Sequence, residues 1–443
     1  MKKALIAVGI LLAAIAALLA SLGLSITNLK SNLDVGLGIT AKLGCSGRFV
    51  SGFTPRKIID DIRTYSEAAA IFTVHFDETN NVTTSSIFGF FPTSATYRPG
   101  LGCTLNIGDT THLDEIIVTK LDEKSELDRQ IDPQISDALN AMLARDQAQS
   151  LDTRALVVVK EGYLVAESYA PDMGVGTRHL AWSMGKSLTS LLVGNLVMNG
   201  KLEVDQTNLF TEWHDERAQI SLENLLQMSS GLAFDETYAP GSDATRMLFS
   251  AYDTAAVARE LPLTHPPGEH FAYSSGTTAL LASLVTRTLG GPAATYDYLN
   301  TQLLGPLGIQ TLIAEPDPSG VFVGSSYVYG TARDWARLGL VYLNQGTLDG
   351  EQIVHPDWIA ASIESNTSGN NQAYGYQVWL NNHPRKPRYP DLPRDAYSMQ
   401  GNRGQVVMIL PTESVVIVRL GWSPTAYPTN QNFAQLLDAL AVE

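Results

Sequence analysis

Ser183 and Lys186 stand three residues apart in the stretch HLAWSMGKSLTSLLVG, and a serine with a lysine one helical turn away can do acyl-transfer chemistry. A hydroxyl is a weak nucleophile until a base takes its proton. A lysine becomes that base only when burial disfavours its ammonium form. Leu188, Leu191, Leu192, Leu196 and Val197 follow. They are apolar on more than one face, so the segment reads as an interior helix that starts near Ser183 and ends at Asn199-Gly200. A serine in the first turn also gains from helix polarity, which favours negative charge developing there. Ser-x-x-Lys is nevertheless a common pattern, and taken alone a helix N-cap accounts for it as well. It needs partners.

The nearest candidate is Tyr273, in HPPGEHFAYSSGTTALLASLV. It follows a Pro-Gly turn and precedes an apolar helix, so its side chain can face a cleft. A tyrosine close to a lysine can serve as a phenolate or relay a proton to a leaving group; a packed core tyrosine is the other reading of the same position.

Ser183-Met-Gly-Lys186 taken with Tyr273-Ser-Ser275 resembles the Ser-x-x-Lys and Tyr-x-Asn elements of class C β-lactamases and their penicillin-binding relatives. LENLLQMSSGLAFD, GPLGIQ and YGYQVWL resemble the same family, and GSSYVYGTARDWARLGLVYLN looks most like the branch holding 6-aminohexanoate-dimer hydrolase and serine esterases. The likeness runs from about residue 130 to the end. It implies an α/β (α+β) fold of the β-lactamase/transpeptidase type, an antiparallel sheet flanked by helices beside a mostly helical domain. It implies catalysis by Ser183, Lys186 and Tyr273, with no metal or organic cofactor. The family's third element matches SMQGNRGQVVMIL, so by analogy the backbone N–H groups of Ser183 and Asn402 form the oxyanion hole and Gly401 lets the backbone approach substrate.

The sequence departs from the family at two points. Ser275 stands where an asparagine usually contacts the substrate amide, and Met399 replaces the Lys or His that helps bind a substrate carboxylate. Arg403 is a candidate for the missing positive charge. These changes point toward ester or linear-amide hydrolysis on a small molecule and away from β-lactams. A peptidoglycan-directed D,D-peptidase, a D-aminopeptidase or a weak β-lactamase is the alternative enzyme. A non-catalytic, membrane-tethered binding domain is the alternative of another class.

The elements that position these residues are legible in outline. ALVVVK and YLVAESYA flank Glu161-Gly162 as a hairpin. QVVMILP and SVVIVRLGW flank a second turn at Thr412-Glu413, and NFAQLLDALAV reads as a terminal helix. Strands from both ends of the region therefore bracket a helical middle, about Trp182 to Leu307, as in a sheet with an inserted helical domain. Before it, Pro133 to Arg145 reads as a helix. The preceding segment, about Thr27 to Thr119, reads as short strands and turns, with a hairpin around Asn80-Asn81. We divide the chain into residues 1–25, an N-terminal extension 26–125 and a catalytic region 126–443.

The chain is 443 residues long, 44% hydrophobic and 17% charged, an ordinary globular composition. Thirty basic against 45 acidic residues give a formal charge of −15, which argues against nucleic acid as a partner because phosphate neutralisation needs a basic face. Lys2 and Lys3 precede an apolar run, Ala4 to Leu24, long enough to cross a bilayer as a helix. It suits a membrane anchor, with the domain outside, or a cleaved secretory signal, and a buried core helix is the third reading. The first two readings export the domain. Cys45 and Cys103 are the only cysteines; in an exported chain they are expected as a disulfide, with two buried thiols as the alternative.

Overall fold

The computed structural model describes residues 29–65, 70–119, 121, 126–371 and 373–441; the apolar run Ala4–Leu24 lies outside them. The central sheet has six antiparallel strands: β5 (Thr153–Lys160), β6 (Tyr163–Tyr169), β7 (Trp379–Leu380), β8 (Tyr397–Gly401), β9 (Gln405–Leu410) and β10 (Val415–Gly421), in the spatial order β7-β8-β9-β10-β5-β6. Strands from the two ends of the region meet where β10 pairs with β5, Val416 opposite Val159 and Val418 opposite Val157. The β5–β6 turn is made by Glu161 (φ 51°) and Gly162 (φ 85°), both left-handed as a two-residue hairpin requires.

The inner strands β5, β9 and β10 carry continuous apolar runs because both faces of the sheet are covered, with Arg154 and Arg419 buried toward the ends of β5 and β10. Val157, Val159, Val407, Ile409, Val416 and Val418 join the core on the side of helix α6 (Ala332–Leu343). Leu156, Val158, Val406, Met408 and Ile417 face α3 (Pro133–Ala148) and the terminal helix α7 (Thr429–Leu440). Asp132 caps α3 by accepting the Gln134 N–H at 2.7 Å, with Pro133 in the first turn. The helical middle includes α4 (Gly185–Met198), buried on every side over most of its length, and α5 (Ser275–Leu289).

The N-terminal extension departs from its reading as strands and turns. Its described part opens with two helices, α1 (Leu29–Cys45) and α2 (Pro55–Tyr65), before a four-stranded antiparallel sheet of β1 (Phe72–Asp77), β2 (Val82–Ile87), β3 (Phe90–Arg98) and β4 (Gly102–Leu105). Gly36, Gly38 and Gly44 lower the helix propensity of α1, which is why the local sequence does not announce a helix. The same glycines let it pack. A side chain at Gly36 would strike the Phe72 ring, and one at Gly38 would strike the Phe249 backbone. Tertiary contact, not propensity, holds α1. The Asn80-Asn81 hairpin is present, with Asp77 opposite Val82. Cys45 and Cys103 are bonded to each other. Among the described residues no helix is long and apolar enough to cross a membrane.

Candidate active site

Lys186 lies in the first turn of α4, and its ammonium is enclosed by three oxygens: Ser183 Oγ at 3.1 Å, Ser275 Oγ at 2.9 Å and the Ser325 carbonyl at 3.1 Å. Its side chain is almost wholly buried. Desolvation pulls its pKa down from 10.5 to about 8, against the opposing pull of the Glu236 carboxylate. That is the range in which a lysine can accept a proton near neutral pH. Gly185 lets the helix start press against the Gly324 carbonyl and Val328, which brings Lys186 to Ser325.

Ser183 itself remains half-buried, so a substrate carbonyl can reach it. It follows Trp182, a buried tryptophan held at φ 51°. Only a well-packed surround keeps a bulky residue in that left-handed region; here Trp182 packs against Trp422 with ring centroids 6.0 Å apart. The turn ends the preceding extended chain abruptly, and a single 3-10 turn, Trp182–Met184, leads into α4 at Gly185.

Tyr273 closes the other side. It precedes Ser274, the N-cap of α5, whose hydroxyl accepts the Thr277 N–H at 3.1 Å, and its loop is fixed by the Ala272 N–H donating to the Met228 carbonyl at 2.9 Å. The phenol hydrogen-bonds with Ser183, and burial raises its pKa well above 10. Tyr273 is therefore a neutral phenol at rest, and of the two groups beside Ser183 the one poised to take a proton is Lys186. The Lys186 nitrogen sits 4.9 Å from the centre of the Tyr273 ring. Ser183, Lys186 and Tyr273 are thus brought together from two helix starts 90 residues apart in the chain.

Ser275 has a place other than the substrate contact its family position implies. It is fully buried, it accepts from Lys186, and it donates its hydroxyl to Glu236 Oε1 at 2.6 Å while its N–H reaches Oε2 at 2.6 Å. Its hydrogen-bonding capacity is taken up inside the protein. Glu236, which the sequence reading missed, is the carboxylate of this site; burial raises its pKa, with Lys186 the largest opposing influence. Nothing in DETYAP marks it, because its role depends on a loop folding back onto α5.

Gly401 ends β8 against the backbone that leads into Ser183: a Cβ there would run into the Ala181 carbonyl oxygen. Asn402 follows, its Oδ1 accepting the Arg403 N–H at 2.9 Å. Arg403 is turned aside. Its guanidinium donates to the Thr64 carbonyl at 2.7 Å and lies over Trp422. Met399 is buried in β8. Arg388 stacks 3.9 Å over Trp379, which in turn stacks on Tyr273 with centroids 5.1 Å apart. Tyr374 and Phe271, both buried, back this pair from the core.

The extension reaches the same site from behind. Lys42 of α1 is buried in an ion pair with Glu315, whose carboxylate also accepts from Ser46 at 2.8 Å and from the Cys103 N–H at 2.7 Å. The Glu315 backbone pairs with the turn that supplies the Ser325 carbonyl, through Glu315 N–H to Tyr327 at 2.9 Å and Val323 N–H to Glu315 at 2.9 Å. Lys42 also sits 4.1 Å over the Tyr327 ring. Disulfide, ion pair and turn are thus linked into one hydrogen-bonded block behind Lys186.

The chain belongs to the beta-lactamase family, whose model matches residues 139–436. The curated 6-aminohexanoate-dimer hydrolase of Paenarthrobacter ureafaciens is 28% identical over 247 residues, 51% of this chain and 62% of that protein; the match thus spans less than two thirds of its length. Among solved structures, a penicillin-binding protein homologue from Caulobacter crescentus superposes with a TM-score of 0.56 at 19% identity, over 72% of this chain and 99% of the other. EstCE1, described as a hydrolase with promiscuous acyltransferase activity, gives 0.56 at 16%, over 69% and 98%. These likenesses establish the β-lactamase/transpeptidase-like fold.

Proposed function

We propose that this protein hydrolyses an ester or linear amide of a small molecule through an acyl-enzyme on Ser183. The observation that carries the reading is the enclosed Lys186, 3.1 Å from Ser183 Oγ with its pKa lowered to about 8. Neutral Lys186 takes the Ser183 proton as the oxygen attacks the carbonyl. The backbone N–H groups of Ser183 and Asn402 are the donors for the oxyanion, an arrangement worth a few kcal/mol in related acyl transfers. Tyr273, neutral and hydrogen-bonded to Ser183, passes its proton to the leaving group and regains it from the Lys186 ammonium; the lysine, neutral again, then takes a proton from the water that attacks the acyl group, and that proton returns to Ser183 as the acid leaves. Ser275 and Glu236 hold the lysine in place.

The half-buried Tyr273 and Trp379, edged by Arg388, suit an extended apolar chain that ends in a carboxylate. The name of the curated relative points to a substrate of that kind. Buried Met399 offers no cation where the penicillin-binding pattern has one, which weighs against the peptidoglycan reading. The disulfide supports action outside the cytoplasm, consistent with the apolar N-terminal run as anchor or signal.

The test is turnover of p-nitrophenyl butyrate, the 6-aminohexanoate dimer and nitrocefin by the wild type beside Ser183→Ala. Ester or linear-amide turnover lost in the variant supports the reading. Folded protein that turns over nitrocefin alone would overturn the substrate class, and one inert toward all three would favour a binding domain.

A further inference from the structure

We propose that the hairpin tip Phe88–Phe91 docks on a lipid bilayer, the one met by the apolar run that precedes α1. Phe88, Phe90 and Phe91 are 77%, 69% and 73% exposed. Single exposed aromatics are ordinary, but three within four residues make a patch of the kind that marks an interaction site. The backbone sharpens the point. Phe88 (φ 49°) and Gly89 (φ 83°) form the two-residue turn between β2 and β3, and Phe91 (φ 55°) is left-handed as well. Asn, Asp or Gly normally fills the first turn position. An aromatic ring there is disfavoured by the backbone and gains nothing from the core, so its value to the protein lies outside the fold.

The register fixes where this tip points. Phe72 pairs with Ile87 at the tip end of the sheet, and Asp77 pairs with Val82 at the other. Helix α1 lies along the sheet with Gly36 against Phe72 and Gly44 against Val74, Phe76 and Thr83. It therefore runs away from the tip, and Leu29 lies about 10 Å beyond Gly36 on the tip side. The sequence Ala4–Leu24 joins the described chain at Leu29. The chain thus enters α1 at the end of the extension that carries the phenylalanines.

Charge favours lipid over a polar partner. No charged residue occurs between Glu78 and Arg98, in a chain of net charge −15. A neutral apolar tip enters a zwitterionic interface without desolvating a charge. A hydrocarbon contact of this kind is too weak alone and effective as the second of two. The proposal stands whether or not Ser183 hydrolyses anything.

The cysteines present are both in the disulfide, so an introduced thiol takes a single label. In the full chain, Phe90→Cys and Phe88→Cys each carry an NBD fluorophore, and Thr79→Cys, at the opposite turn about 20 Å away along the strands, is the control. The proteins are mixed with phosphatidylcholine vesicles with and without nitroxide-labelled lipid. The tip labels shift to the blue on vesicle addition and are quenched several-fold by the nitroxide, while the label at 79 is unchanged. Tip labels that stay unquenched on a chain that floats with the vesicles would overturn the proposal. So would equal quenching at 79, or a chain that does not float. A blue shift without vesicles that resists lipid quenching would show a protein partner in place of the bilayer.

Discussion

Lys186 and Glu236 face each other across a single hydroxyl, that of Ser275, which accepts from the lysine at 2.9 Å and donates to the carboxylate at 2.6 Å. Burial lowers the lysine's pKa to about 8, and the carboxylate opposes that fall by favouring the ammonium. The free-base form of Lys186 increases as pH rises, so kcat/KM should climb through pH about 8. Glu236→Gln removes the influence that favours the ammonium, so the rising limb should move to lower pH, by about one unit. A pH–rate profile of both proteins checks this; a midpoint unmoved in Glu236→Gln would detach the carboxylate from the lysine.

Tyr273 should matter in proportion to the leaving group's need for a proton. Tyr273→Phe is expected to lower amide hydrolysis about 100- to 10,000-fold and hydrolysis of p-nitrophenyl butyrate by much less, because p-nitrophenolate departs unprotonated. Equal losses on the two substrates would give Tyr273 a role in deprotonating Ser183 instead.

Gly401→Ala tests the approach of β8 to the nucleophile. Its methyl group would displace the Ala181 carbonyl, and with it the chain entering Ser183. Misplacement on the order of 1 Å costs about 100-fold in rate, so kcat should fall about that much while the far-ultraviolet circular dichroism spectrum stays that of the wild type.

How much of this was legible in the sequence differs from one residue to the next. Ser183, Lys186 and Tyr273 were legible because Ser-x-x-Lys and Tyr-x-Ser stand in the order of a known family's motifs; the spacing alone fits a helix N-cap as well. The strands of the central sheet were legible because burial on both faces leaves continuous apolar runs such as QVVMIL. Helix α1 was hidden because its glycines depress helix propensity and reveal their purpose only beside Phe72 and Phe249. Glu236, Arg388 and the Lys42–Glu315 pair were hidden for a related reason. Each acquires its role from a partner distant in sequence, and no spacing encodes that.

The block behind Lys186 bears on stability. Burial pushes Lys42 down and Glu315 up, each held back by the other. Lys42→Met leaves Glu315 buried without its cation and should cost about 3–5 kcal/mol in urea unfolding. Adding Glu315→Gln should recover much of that loss. Reducing the disulfide, which closes a loop of 58 residues, should cost about 4 kcal/mol more.

The central claim is that Ser183 is a nucleophile activated by Lys186, and the most direct measurement is the rate and site of labelling by a fluorophosphonate across pH, with the adduct located by peptide mass spectrometry. One adduct is expected, on Ser183, formed at a rate that rises through pH about 8 and falls by at least about a thousandfold in Lys186→Ala. An adduct on another residue, or labelling of Ser183 that Lys186→Ala leaves unchanged, would contradict it.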